Sequence, residues 1–142
     1  MIACGTNGVH ITDAGLSKIK DLKGLTMLHL GQPKVTDEGL ANLKGATQLS
    51  VLNIRGTLIT AAGLVHLKGL TKLQTLGLVG PKITDAGLVH LKWMTNLQNL
   101  NLPAGQITDA GLVHLKGLTK LQTLNLMRTK ITDAGLVHLR GL

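Results

Sequence analysis

The string ITDAGL, or a near copy of it, occurs six times in this chain, starting at Ile11, Val35, Ile59, Ile83, Ile107 and Ile131. Each copy begins 24 residues after the one before, without drift, so a chain of 142 residues is almost entirely one unit repeated. A fixed period of this size excludes most globular folds, because each unit can then pack only against its neighbours in a quasi-one-dimensional stack. Stacks of this kind present surfaces and rarely carry chemistry.

The last copy, LQTLNLMRTKITDAGLVHLRGL at residues 121–142, serves as the reference unit. Leu124 and Leu126 alternate with Thr123 and Asn125, the period of a strand with one buried face. Ile131, Leu136 and Leu139 follow at wider steps, which predicts a turn and then a short helix of about two turns ending near Arg140. Thr132 and Asp133 fall where an N-cap and a first-turn carboxylate belong, and Gly141 where a helix stops. Counting in steps of the period divides a single domain, 1–142, into units 1–24, 25–48, 49–72, 73–96, 97–120 and 121–142. In the first unit Met1, Cys4 and Thr6 stand in for the strand leucines, so that strand is weakly apolar and is expected to act as a modest cap.

Stacking the units aligns apolar columns. Leu28, Leu52, Leu76, Leu100 and Leu124 form one, and Leu30, Ile54, Leu78, Leu102 and Leu126 the next. On the helix side the column is Leu16, Leu40, Leu64, Leu88, Leu112 and Leu136. Parallel strands pair about 4.8 Å apart, whereas packed helices stand roughly 8–10 Å apart, so the stack must bend with its strands inside.

The pattern LxxLxLxxxxI followed by TDAGL resembles the leucine-rich repeat, in the helical variant found in many bacterial repeat arrays, over nearly the whole chain. The resemblance implies an α/β leucine-rich repeat solenoid: a right-handed arc or horseshoe with a parallel β-sheet on its concave face and short helices on its convex face. One column departs from that family. Where it usually places Asn or Cys to bond buried backbone between turns, this chain has Pro33, Thr57, Pro81, Gly105 and Thr129, and Pro has no donor to give.

Other columns recur with the unit. Gly15, Gly39, Gly63, Gly87, Gly111 and Gly135 sit inside the helical segment, where Gly costs about 0.5–1 kcal/mol relative to Ala. Their return in every unit predicts a crowded spot where a Cβ would strike neighbouring backbone. A column of Asp13, Asp37, Asp85, Asp109 and Asp133, broken by Ala61, lies at the helix N-termini, and one of Lys20, Lys44, Lys68, Lys92, Lys116 and Arg140 at the C-termini. Both signs suit the helix dipole. The cationic column is also a candidate anion-binding strip, with Lys34, Lys82 and Lys130 adding charge near the sheet edge. His66, His90, His114 and His138 form a further column, too widely spaced at the repeat pitch to converge on one metal ion. No metal or cofactor is expected.

The charge balance of +8 comes from twelve Lys and three Arg, and Trp93 is the only aromatic residue. Recognition of nucleic acid favours Arg forks and stacked aromatics, so this composition counts against a nucleic-acid partner. The single cysteine, Cys4, cannot form an internal disulfide. No run reaches the roughly 18–20 apolar residues of a membrane span. The opening MIACGTNGVH lacks the features of a secretory signal, and the compartment stays open. No P-loop, GxGxxG, HExxH or GxSxG motif occurs, and the repeated Asp and His are features of the unit, so no catalytic residue is assigned.

Candidate functional residues are therefore sought where the copies disagree. The outward strand positions vary from unit to unit: Met27 and His29; Val51, Asn53 and Arg55; Thr75 and Val79; Asn99 and Asn101; Thr123, Asn125 and Met127. Variation on a fixed scaffold is what a recognition surface shows. Trp93 replaces Gly in a column that otherwise reads Gly45, Gly69, Gly117 and Gly141, with Asp21 first, and Trp favours binding hot spots. Leu142 marks an open apolar end of the stack, where a second copy stacked head to tail would continue the period. The expected function is a non-catalytic protein-interaction scaffold binding through the concave sheet. The alternatives are a module assembling end to end and a polyanion-binding surface on the basic column.

Overall fold

The computed structural model describes residues 2–4, 11–31, 34–55 and 58–142. Six short strands, β1 (Ile2–Cys4), β2 (Met27–Gly31), β3 (Val51–Arg55), β4 (Thr75–Val79), β5 (Asn99–Asn101) and β6 (Thr123–Asn125), form one parallel sheet in chain order. A unit that returns each time by the same short crossover lays every strand beside its predecessor. From β2 onward the register follows the period, with Leu28, Leu52, Leu76, Leu100 and Leu124 opposite one another.

The turns entering the strands lock that register. The carbonyl of Thr26 accepts from the N–H groups of both Ser50 and Val51, that of Ser50 from Gln74 and Thr75, and that of Gln74 from Gln98 and Asn99. Each crossing thus gives one acceptor two donors, so no backbone donor is stranded where the chain turns into the sheet.

The first strand departs from expectation. Ile2 pairs with Leu28 and Cys4 with Leu30, two residues out of step with the period. Because side chains alternate every two residues, such a slip preserves which positions share a face. It also sets Ile2 at the register position of Leu28. Cys4, expected in the column of Leu28, therefore stands opposite Leu30 instead; Met1 and Thr6 lie outside the described residues.

The helical segments are brief. α1 (Asp13–Ser17), α2 (Asp37–Ala41), α3 (Asp85–Leu88) and α4 (Asp109–Leu112) each open on the repeated Asp. Tighter 3₁₀ turns follow the last two, at Leu91–Trp93 and Val113–Leu115. The unit with Ala61 in place of Asp starts one residue later and is 3₁₀ throughout, Ala62–Leu67, and the final unit is also 3₁₀, Asp133–Leu139.

Between sheet and helices runs a continuous aliphatic strip. Leu28, Leu52, Leu76 and Leu100 are sealed from solvent, as are Leu40, Leu64, Leu88 and Leu112. Each contributes roughly 2–3 kcal/mol on burial. Uniform leucine layers dispense with aromatic rings because every unit meets an identical surface. The last unit, covered on one side only, leaves Leu136 half-exposed and Leu124, Leu126, Ile131 and Leu139 partly so.

Candidate functional site

The polar contacts between units define the frame on which any site is held. In four places the repeated Asp reaches the Thr one unit on. Asp85 Oδ1 accepts the Thr108 N–H at 2.8 Å and its Oδ2 accepts the Thr108 hydroxyl at 2.7 Å. Asp13 holds Thr36, Asp37 holds Thr60 and Asp109 holds Thr132 in the same way. Thr36, Thr108 and Thr132 have the extended backbone of N-cap residues, yet none of their side chains caps its own helix; only the Thr60 hydroxyl also accepts from its own helical segment, taking the Ala62 N–H at 3.2 Å. The hydroxyl turns to the preceding unit instead, which corrects the expectation of ordinary N-capping.

The Asp column is therefore an inter-unit clip as well as a partner of the helix dipole. The Thr132 hydroxyl, then its N–H, holds the Asp109 carboxyl below its ordinary value. The Thr36 hydroxyl lies within reach of both Asp13 and Glu38 and gives its one proton to either in turn, which lowers the Glu38 carboxyl likewise. The clip also explains the helical glycines. A Cβ on Gly39, Gly63, Gly111 or Gly135 would be driven into the carboxylate of the previous unit's Asp. The obstacle is that side chain rather than backbone. Only at Gly87, whose neighbour is Ala61, does backbone stand close, with Ala61 Cα 3.1 Å from where a Cβ would lie.

The strand alternation that buries the leucines turns the variable residues to the opposite, concave face. Met27, His29, Val51, Asn53, Thr75, Val79, Asn99, Asn101 and Asn125 are half-buried there, while Arg55, Thr123 and Met127 are exposed. They form short polar rungs across the strands. Asn53 Nδ2 lies 3.2 Å from His29 Nδ1, and Asn99 Nδ2 donates to Thr75 Oγ1 at 3.3 Å. Asn125 Oδ1 accepts the Met127 N–H at 3.0 Å.

Gly77 interrupts the middle rung. A Cβ there would collide with Asn53 Oδ1, so the amide leans across the strand that has no side chain. On the far side of Gly77, Asn101 Oδ1 is buried without any hydrogen-bond partner. An unpaired buried acceptor costs about 1–3 kcal/mol, which makes it the one polar atom on this face whose capacity is unspent among the described residues.

On the helix side, Lys20, Lys44, Lys68, Lys92, Lys116 and Arg140 are all exposed. Lys92 Nζ lies 4.9 Å and Lys68 Nζ 5.6 Å from the centre of the Trp93 ring, both within cation–π range. Replacing a stop glycine by Trp breaks no backbone rule here. Among the described glycines only Gly141 has a left-handed φ, of +106°, and a Cβ on Gly69 or Gly117 would meet open space. Trp93 is half-exposed, so it does not fill a gap against the buried Met94. Leu142 is exposed at the open apolar end.

Sequence reasoning placed the concave residues and the lysine column but missed the clip. The signal was present: Asp, Thr and Gly recur together, and the one unit lacking Asp is where Gly meets different neighbours.

A leucine-rich repeat family model matches residues 117–139, and no curated protein sequence matches the chain. Among solved structures the chain is similar to an internalin from Listeria monocytogenes, 30% identical with a TM-score of 0.77 over 89% of this chain and 36% of that one. It is also similar to internalin C2 of the same organism, 28% identical with a TM-score of 0.66 over 99% of this chain and 67% of that one. A plant peptide hormone receptor in complex with RGF2 shares the fold, at 21% identity and a TM-score of 0.58 over 89% of this chain and 21% of that one. The chain thus spans about a third of the first internalin's length. No described helix is long and apolar enough to cross a membrane. A parallel sheet in chain order, leucine columns stacked in register and these structural relatives agree that the chain folds as an α/β leucine-rich repeat solenoid.

Proposed function

We propose that the chain is a non-catalytic scaffold that binds a protein partner through the concave face of its sheet. The observation that carries this reading is the face itself. Its residues vary while the buried columns do not, nothing is layered over it among the described residues, and its centre holds the unpartnered Asn101 carbonyl. An extended segment laid across β4 and β5 would lie against these strand side chains. Asn53, Thr75 and Asn99 would present further amide and hydroxyl groups to it. With no aromatic anchor on this face, affinity must come from contact area and hydrogen bonds, not from one deep pocket. The plant peptide hormone receptor, related in fold, was solved in complex with RGF2, which agrees with such a use of the architecture.

The test is a selection of peptides from a displayed random library on the immobilised chain. Peptides bound at the concave face lose about tenfold or more in affinity when Thr75→Arg or Asn99→Arg places a bulky charge across the strands. The helix-side change Val113→Arg leaves them unaffected. The opposite pattern of losses refutes the assignment of the concave face.

A further inference from the structure

The charge of this solenoid is sorted onto one flank. The segments leading from each helix back to the sheet, residues 17–26, 41–50, 65–74, 89–98, 113–122 and 137–142, hold ten of the fifteen Lys and Arg but only one of the seven carboxylates, Asp21. The remaining cations and carboxylates nearly cancel on the opposite turns, where five of the carboxylates, Asp13, Asp37, Glu38, Asp85 and Asp109, lie against threonines. Essentially all of the +8 therefore faces one way.

The cations of that flank have only neutral partners where the structure gives them one. Lys72 Nζ donates to Gln48 Oε1 at 2.6 Å and Lys120 Nζ to Asn96 Oδ1 at 2.8 Å, while Lys68 and Lys92 lie against the Trp93 ring. Trp93 rises from a row whose neighbours in the adjacent units, Gly69 and Gly117, have no side chain, and half of its surface meets solvent. Val65 and Val113, 44% and 47% exposed, stand three residues before Lys68 and Lys116 and so share their helical face. Valine, lysine and one indole make a mixed apolar and cationic edge.

From this arrangement we infer that the helix-to-strand flank docks on an anionic lipid bilayer. The lysines meet the headgroups, and Trp93 settles at headgroup depth. A flank to which every unit contributes cations can meet a planar surface along its length. A strand of nucleic acid is instead gripped by a basic groove with several stacked aromatics, and this flank has one aromatic residue. An amphipathic ring among lysines and small aliphatic side chains is what the membrane interface accepts. Attraction of roughly 1 kcal/mol for each Lys near an anionic surface, fading within a Debye length, corresponds to about fivefold in affinity per lysine. The contact is peripheral and leaves the concave face free, so it stands independently of the proposal above.

Trp93 is also the means of testing it, because the chain has no Tyr or Phe and its only tryptophan lies at the centre of the flank. The full chain is mixed with phosphatidylcholine vesicles with and without phosphatidylserine. Co-sedimentation is expected only with phosphatidylserine, with a blue shift of the Trp93 emission, both reversed by salt. Lys68→Gln and Lys92→Gln each weaken binding about fivefold. Trp93→Gly, which restores the column's usual residue, weakens sedimentation while the circular dichroism is unchanged. Lys34→Gln and Lys82→Gln, on the opposite turns, leave binding as it was. Three results overturn the inference: no sedimentation with phosphatidylserine at low salt, binding without a shift in Trp93 emission, or retention on heparin or duplex DNA with no vesicle binding.

Discussion

Between Asp85 and Thr108 two hydrogen bonds cross from one unit to the next, whereas between Ala61 and Thr84 the donor unit has no side-chain oxygen to offer. The receiving threonines nevertheless adopt almost the same backbone, with φ −125° and ψ 173° at Thr84 and φ −118° and ψ 179° at Thr108. Leucine stacking alone therefore sets the path of the receiving chain, and the clip consolidates a geometry already reached. The donor unit does change. Its helical segment starts one residue later, at Ala62, and is 3₁₀ throughout, as is the final segment that opens on Asp133. The carboxylate suits the exposed N–H groups of the helix it begins and ties that unit to the next.

The largest effect expected from this contrast comes from filling the space the clip occupies. Gly111→Ala would put a Cβ into the Asp85 carboxylate and 3.1 Å from Leu88 Cδ1, breaking the clip and overpacking the joint for a loss of about 2–3 kcal/mol. Gly117→Ala, in open space, should shift urea midpoints by only a few tenths of a kcal/mol. Equal effects at the two sites would mean the helical glycine is not held by the carboxylate.

A reciprocal exchange has a smaller effect. Asp85→Ala removes both hydrogen bonds and should cost about 1–2 kcal/mol, while Ala61→Asp supplies the absent carboxylate opposite Thr84 and should gain up to about 1 kcal/mol. Urea unfolding reads both. If Ala61→Asp destabilises, the fifth joint is built for apolar contact and the comparison must be redrawn.

The smallest effect is in acid. Hydrogen bonds from Thr132 hold the Asp109 carboxyl below its ordinary value of 3.8. A group lowered in the folded state contributes its stability above the unfolded pKa and loses it as pH falls through the folded one. Stability from this joint should thus persist at about pH 5 and decline below about pH 4. Asp109→Asn should flatten that part of the profile, and carboxyl NMR titration should show Asp109 among the last groups to protonate.

The frame was legible in the sequence because every buried column is a property of the unit alone. Leu28 and Leu52 announce their burial by spacing, and so does the outward turn of Asn53 and Asn99. What escaped were relations between units. Asp85 reads as a dipole partner until Thr108 is brought beside it, and Trp93 reads as a broken rule until the row it stands in proves to need no glycine. The slip of β1 escaped for another reason: a two-residue shift leaves the alternation intact, so no pattern of apolar residues distinguishes the two registers.

Load passing along a linear array crosses every joint in series, and each joint bears the same force. Four of these joints carry a carboxylate clip, and the one between Ala61 and Thr84 does not. Drawn apart by its two ends, the molecule should part there first, near its middle, into two shorter stacks whose own clips are still closed. The position of mechanical failure is then written by one alanine, and moving that alanine to another unit should move the fracture with it.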